Sequence, residues 1–492
     1  MTTLPENIYS VAAVREIDRT AIEDAGIPGY TLMTRAGAAA VDAARRGFPA
    51  ARRWQVICGA GNNAGDGYVV ARLAGSEGIA VSVIALVDPD VLSGDAATAY
   101  ADFTAAGGAV MPWAGELDPD ADLIIDAVLG SGLMREVAGD FAAAVTAMNV
   151  HGAAVIALDI PTGLNGDSGA VMGCAVKATV TVTFVGLKTG LFSGAGPDYC
   201  GDIVFAGLGL EAQHRVNADV AYRRISRSRI RGLLPPRPRT AHKGDFGHVL
   251  VVGGGAGMPG AARLCGEAAL RTGAGRVSIA THHEHAASIV TSRPELMSHA
   301  IQTIKDIDQL LEKADVVAFG PGLGRTPWAG ELFARLVADH RPAVWDADAL
   351  NWLAGSPGAA DSRVISPHPG EAATLLGCTA AAVQADRSSA LQQLHARYGG
   401  VVVLKGAGSL VSSASGVPWL CTSGNPGMAA AGTGDVLTGI IAALLAQGLA
   451  AEDAAAVGVD VHARAGDRAA AAGERGLMAS DLSAEIRGIV NP

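Results

Sequence analysis

The apolar positions of the first 210 residues fall into short β-branched runs, WQVICGAG, VSVIALV, DLIIDAVLG, AAVIALDIP, ATVTVTFVGL and DIVFAGLGL, separated by Ala-rich helical stretches. Strand and helix patterns alternating in this way predict parallel βαβ units, an α/β fold. The stretch RRISRSRIRGLLPPRPRT, residues 223–240, concentrates arginine and proline and carries no apolar periodicity. It reads as an interdomain linker between a first domain, 1–222, and a second, 241–492. The pattern restarts beyond it with HVLVVGGG, RVSIATH, DVVAFGPGLG, PAVWDADAL, RVISPHPG and VVVLKGAG, and closes with a long helix from Asp435 to Gln447 and another from Ala451. The second domain is therefore α/β as well, with its own core. No internal repeat relates the halves.

Composition narrows the function classes. A chain of 492 residues with 49% hydrophobic and 17% charged residues and 64 glycines suits two packed α/β domains with many tight turns. The net charge of −11 is spread along the chain, which excludes nucleic acid and anionic membrane as expected partners and leaves small molecules. The six cysteines stand apart, without the close pairs of zinc or redox motifs, and the N-terminus holds charges where a signal peptide needs an apolar stretch. A cytoplasmic location is expected. Of the 37 basic residues only six are lysine, so a lysine inside a glycine-rich motif is less readily surface filler.

In the first half, GAGNNAGDG (residues 59–67) follows the strand QVIC and opens a helical run. Glycines at the carboxyl end of a strand let backbone approach a phosphate, and the next helix's free amides favour an anion. A plain βα turn uses the same glycines, but Asn62, Asn63 and Asp66 add hard oxygen donors suited to an alkali cation or to ribose. Two further strands end in acids, Asp126 and Asp159. Either alone could merely cap a turn; three polar strand ends on one edge of a parallel sheet point to a crevice.

Taken in order, GAGNNAGDG, DAVLGSGLMRE and ALDIPTGL resemble the NAD(P)H-hydrate epimerase family over about residues 8–220. The resemblance implies a Rossmann-like doubly wound sheet with a potassium site at Asn63, Asp126 and Thr162. It further implies substrate contacts from Asn62, Asn63, Ala64, Gly65 and Asp66, from Gly130, Ser131, Gly132, Leu133, Met134, Arg135 and Glu136, and from Asp159, the candidate catalytic residue. The family usually has glycine in place of Ala64, which adds a methyl group, and often serine in place of Thr162. Lys188, in VGLKTGL, matches a family lysine whose role is open.

In the second half, GTGD sits where a loop becomes a helix. Helical amides there would stabilise charge on a transferring phosphoryl group while Asp435 takes a proton from an attacking hydroxyl; the simpler reading is an acid at a helix start. KGAGS follows the strand VVVL and fits a nucleotide loop, and no Walker-type loop is present. With GPGLG, DADAL, SPHPGE and HKGDFGHVLVVGG, these motifs resemble the ADP-dependent NAD(P)H-hydrate dehydratase family, of ribokinase-like fold, from about Ile225 to Val490. That implies adenine-nucleotide contacts from Lys405, Gly406, Ala407, Gly408, Ser409 and Gly434, and hydrate contacts from Ala261, Gly322, His368 and the catalytic Asp435. Met258 and Pro259 replace an aromatic residue common in the family.

The two resemblances together imply repair of hydrated NADH and NADPH: R and S hydrates interconverted in the first domain, and the S form dehydrated with ADP in the second. The products are reduced cofactor, AMP and phosphate. Potassium in the first domain, Mg²⁺ in the second and ADP as co-substrate are the expected cofactors, and a homo-oligomer the expected assembly. The alternative is a ribokinase-like small-molecule kinase fused to a non-catalytic Rossmann-like binding module.

Overall fold

The structure, a computed structural model, describes residues 4–210, 218–291 and 293–491. It separates into two compact units, Met1–Tyr222 and Arg223–Pro492.

The first unit is built on a seven-stranded sheet in the order Val110–Pro112, Ala80–Ala85, Arg53–Cys58, Leu123–Ala127, Ala154–Leu158, Val180–Phe184 and Asp202–Ala206. Every neighbouring pair is parallel. Side chains alternate faces along each strand. Val56, Cys58, Leu123 and Ile125 accordingly pack under the helices Gly29–Gly47 and Asn62–Ser76, while Ile57, Ile124 and Val155 pack on the other face with Val145 and Met148 of the helix Gly139–Val150. This is the doubly wound α/β arrangement expected from the sequence. Strand order reverses between Arg53–Cys58 and Leu123–Ala127, which opens a crevice at their carboxyl ends. Asp126 stands there, in register with Ile57. A two-residue parallel pairing, Ile8 with Leu187 and Tyr9 with Lys188, seats Lys188 and has no counterpart in the sequence reading.

The second unit repeats the logic. Strands Met297–Ile301, Arg276–His282, His248–Val252, Val316–Phe319, Ala343–Trp345, Arg363–Ile365 and Val401–Leu404 run parallel, and short strands Leu410–Val411 and Trp419–Leu420 add antiparallel. Order reverses between His248–Val252 and Val316–Phe319. Their two glycine loops meet at that point: Gly254 N donates to Pro321 O at 2.9 Å and Gly255 N to Gly322 O at 2.7 Å. The helix Thr433–Ala446 is apolar on all sides and fully buried from Val436 to Leu445. It crosses the helix Pro259–Thr272 so closely that a Cβ on Gly439 would lie 2.1 Å from Cys265 O.

The stretch expected to be a linker folds instead. Arg223 and Arg224 pair with Trp419 and Leu420, a helix spans Arg227–Leu233, and Ile225 and Ile230 enter the second unit's core. Two of its arginines are structural: Arg229 lies 4.3 Å over the Trp419 ring and pairs with Asp453, and Arg237 lies 3.5 Å over Phe246. Guanidinium groups stacked on aromatic faces contribute packing as well as charge, which a reading of 223–240 as a linker misses.

Candidate active sites

In the first unit the helix begins at Asn62, so residues 62–66 are its first turns and the loop proper is only residues 59–61. This sorts the motif by face. Asn62, Asn63 and Asp66 line a cleft of about 900 Å³, whereas Ala64 and Gly65 turn into the core, with Ala64 fully buried. The methyl of Ala64 therefore packs against protein rather than substrate. All of residues 130–136 line the cleft, with Met134 84% exposed at its rim. Asp159 lines it too.

Asp159 is held in the left-handed region at φ 69°, a conformation that costs a non-glycine residue energy and is found where a site needs it. One carboxylate oxygen accepts from Ser131 N at 2.9 Å; the other pairs with the Lys188 ammonium. Lys188 is 1% exposed and also donates to Thr183 Oγ1 at 3.1 Å and Phe184 O at 3.0 Å. Burial pushes Asp159 up, but Lys188 and the hydrogen bonds outweigh it, and the group stays below the usual carboxylate range. Two neighbouring acids go the other way. Burial, with Asp159 and Asp18 nearby, pushes Asp66 well up. Asp18, which the sequence reading did not single out, is raised by burial to about 6. One lysine thus faces three carboxylates, of which one is kept below the usual range and two are raised above it.

Asp126 is fully buried, accepting from Thr162 N at 2.8 Å, Thr162 Oγ1 at 2.7 Å and Val128 N at 3.2 Å. Burial still raises it to about 6. The Asn63 amide, buried at both its oxygen and nitrogen, has no hydrogen-bond partner. It points toward Gly130, where a Cβ would be 3.5 Å from Asn63 Oδ1 and 3.0 Å from Asp159 Oδ2. A buried amide oxygen without a partner beside the Asp159 carboxylate fits a monovalent cation.

In the second unit Lys405 Nζ lies 2.7 Å from Asp346 Oδ1 and 3.6 Å from Glu371 Oε2, and Thr438 Oγ1 donates to Asp346 Oδ2 at 2.8 Å. Burial pulls Lys405 down, but Asp346 and Glu371 outweigh it and the ammonium is held charged. Asp435 stands in the first turn of Thr433–Ala446, entered through Gly432 at φ 90°. Burial, then Asp346, raise it to about 7. Gly434 leaves room at this point, since a Cβ there would be 3.3 Å from Lys405 Nζ. Asp346 and Glu371 stand in the DADAL and SPHPGE motifs but, like Thr438, have no role in the sequence reading; their closeness to Lys405 makes them central.

The KGAGS loop is braced from behind by Arg387, which donates to Leu404, Lys405 and Gly408 carbonyls, and within by Ser409 Oγ to Gly406 O at 2.9 Å. Gly406 and Ala407 are exposed at its tip. His368 caps the helix Pro369–Leu376, its Nδ1 accepting from Gly370 N and Glu371 N, which leaves Nε2 toward solvent and 3.6 Å from Glu371. Ala261 and Gly322 are neighbours, the Ala261 Cβ 2.9 Å from where a Gly322 Cβ would sit.

Fold and sites together define a two-domain α/β enzyme: a doubly wound domain with an acid–lysine cleft, and a second domain with a charged glycine-loop site at the carboxyl edge of its sheet. Comparison with known proteins makes this specific. A family described as YjeF-related protein N-terminus matches residues 29–190, and one described as NAD(P)H-hydrate dehydratase matches 249–487. The bifunctional NAD(P)H-hydrate repair enzyme of Coxiella burnetii is 45% identical over 99% of both chains, and that of Escherichia coli 43% identical over 100% of this chain and 95% of its own. Among solved structures, a ribokinase-like superfamily protein from Enterococcus faecalis matches 55% of this chain and 96% of its own, with 27% identity and a TM-score of 0.52. The chain belongs to the bifunctional NAD(P)H-hydrate repair enzyme family.

Proposed function

We propose that the first unit epimerises hydrated NADH and NADPH and that the second dehydrates the S hydrate with ADP. The hydrate carries its hydroxyl on the carbon next to the ring nitrogen. Inverting that centre, by ring opening or through a cation, requires proton movement at the hydroxyl or nitrogen. Asp66, pushed well up by burial, and Asp18, raised to about 6, are the proton donors in the cleft, while Asp159, kept below the usual carboxylate range and fixed by Lys188 and Ser131, accepts a proton or steadies positive charge. Asn63, Asp126 and Thr162 would hold potassium with nearby carbonyls, the ion supplying positive charge beside a buried carboxylate.

Hydroxide leaves a ring poorly, so the second unit activates it. Asp435, raised to about 7, takes the hydroxyl proton. The oxygen attacks the terminal phosphorus of ADP, releasing AMP; amides at the start of Thr433–Ala446 and the Lys405 ammonium receive the transferring charge. Phosphate then leaves with push from the ring nitrogen, and loss of the neighbouring carbon's proton restores the double bond. Glu371 and the other carboxylates around Lys405 form an oxygen-rich set suited to Mg²⁺, which would neutralise diphosphate charge.

The observation that carries this reading is the placement of Asp435, with its raised pKa, at a helix start beside Lys405, in a chain alignable end to end with repair enzymes. Such alignment also sets aside the kinase-plus-scaffold alternative. The test is return of reduced-cofactor absorbance when the protein is given mixed hydrate epimers with ADP. Complete recovery is expected; a plateau at the S fraction would remove the epimerase, and no recovery would remove the dehydratase.

A further inference from the structure

The strand Arg276–His282 ends in the sequence THHEH, which none of the chemistry above uses. His282, His283 and Glu284 each present a ligand atom, and the three atoms lie within 4.8 Å of one another. We propose that these three side chains form a binding site for a borderline transition cation of the Zn²⁺ class on the second unit.

The donor set determines the class of ion. Two imidazole nitrogens and one carboxylate oxygen match zinc and its neighbours, whereas Mg²⁺ and Ca²⁺ take oxygen. Bonds of about 2.1 Å in a tetrahedral complex place ligand atoms about 3.4 Å apart, so closure needs only small rotations. The geometry allows them on one side and fixes the other. His283 and Glu284 are exposed and free to turn, while His282 is held edge-on against Trp328 with ring centroids 5.6 Å apart. The Nδ1 of His282 is buried without a hydrogen-bond partner, and Glu284 Oε2 at 3.6 Å is beyond hydrogen-bond range but suited to sharing an ion. The backbone beneath is rigid: His282 N donates to Gly254 O at 3.2 Å, Thr281 Oγ1 to the same carbonyl at 2.7 Å, and Gly257 N to His285 Nε2 at 3.0 Å. A pre-positioned first ligand on a fixed strand end, with two mobile partners adjacent in sequence, is a low-cost chelate. The fourth position would be left to water.

The test is isothermal titration of tag-free full-length protein with Zn²⁺, at pH 7.5 in a non-chelating buffer. One ion per chain with micromolar affinity is expected. His283→Ala and Glu284→Gln, both at exposed positions, should each weaken binding at least tenfold, and the double variant should abolish it; His242→Ala and Cys378→Ser, at other exposed donors, should leave it unchanged. Co²⁺ in place of zinc should give the intense visible bands of a four-coordinate site, lost in the double variant. Binding weaker than about 100 µM, or binding that survives the double variant but falls in His242→Ala or Cys378→Ser, overturns the proposal.

Discussion

Both units centre on a buried lysine paired with an aspartate at a strand end, yet the pairs are nested in opposite order. In the first, Lys188 is 1% exposed and Asp159 17%, so the lysine is the foundation and the carboxylate faces the cleft. In the second, Asp346 is 2% exposed and Lys405 17%, so the carboxylate is the foundation and the ammonium faces outward. The presented charge follows the substrate. An epimerase needs groups that exchange protons with a neutral ring, whereas a site for ADP needs a fixed positive charge. The same ion pair, turned over, serves either end.

The largest effect that sharpens this contrast is at Asp435. Asp435→Asn keeps the shape but removes the proton acceptor, and we expect ADP-dependent dehydration to fall about 10³-fold with epimerisation unchanged on the same preparation. In the wild type, dehydration should fall about tenfold per pH unit below about 7, as the Asp435 carboxyl takes up its proton. A flat profile from pH 5 to 8 would assign the base elsewhere.

The nesting itself makes the next prediction. Removing the shallower partner strands the deeper charge, and an uncompensated buried charge costs about 3 kcal/mol or more. Asp159→Asn should therefore destabilise the first unit by about that amount, and Lys405→Met the second. Lys188→Met and Asp346→Asn should cost about 1 kcal/mol each, because the charge left behind, Asp159 or Lys405, is 17% exposed and keeps solvent contact, whereas Lys188 and Asp346, when stranded, keep only neutral hydrogen-bond partners in the interior. Urea unfolding followed by hydrogen exchange within each unit measures all four. Equal costs within a pair would erase the distinction between foundation and presented group.

What the sequence disclosed follows the same divide. Long apolar runs and glycine turns are local signals, so the twelve runs read as strands all form strands in the structure. The two-residue strands Leu187–Lys188 and Leu410–Val411 are too short to leave a period, and the helix Arg227–Leu233 was hidden because it is only two turns long and its Arg229 stacks on the Trp419 ring instead of marking a solvent face. At the sites, glycine motifs singled out Asn63 and Asp435 and a strand-end acid Asp159, whereas Asp18, Asp346 and Glu371 stand out only through their closeness to a lysine remote in sequence. No spacing rule encodes that.

Asp18 offers a test of intermediate size. Its carboxyl is raised to about 6 by burial, partly offset by Lys188, and it belongs to the cleft rather than to the core. Asp18→Asn should slow R-to-S conversion about 10²-fold, the low end for a single acid–base group, and leave dehydration of pure S hydrate untouched. If conversion is unaffected, Asp66 carries the proton alone.

The smallest effect concerns the cation, and it turns on the sign of a linkage. Asp126 titrates at about 6 in the folded protein against an ordinary 3.8. Its contribution therefore favours folding fully below pH 3.8 and is lost as pH rises through about 6, where the folded state must carry a buried carboxylate. An ion held by Asn63, Asp126 and Thr162 restores part of that loss only once the carboxylate exists. At potassium tenfold above its dissociation constant the gain is about 1.4 kcal/mol, a rise in melting temperature of about 3–6 °C for a unit of this size. We expect that rise, measured against the bulky cation N-methylglucammonium, at pH 7.5 and its near absence at pH 5. Asp126→Asn should be insensitive to potassium at both. A potassium effect of equal size at pH 5 and 7.5 would show that the ion does not answer to this carboxylate. The second unit provides the control: its lysine already fills the role of the fixed cation, so potassium should leave its unfolding transition where it was.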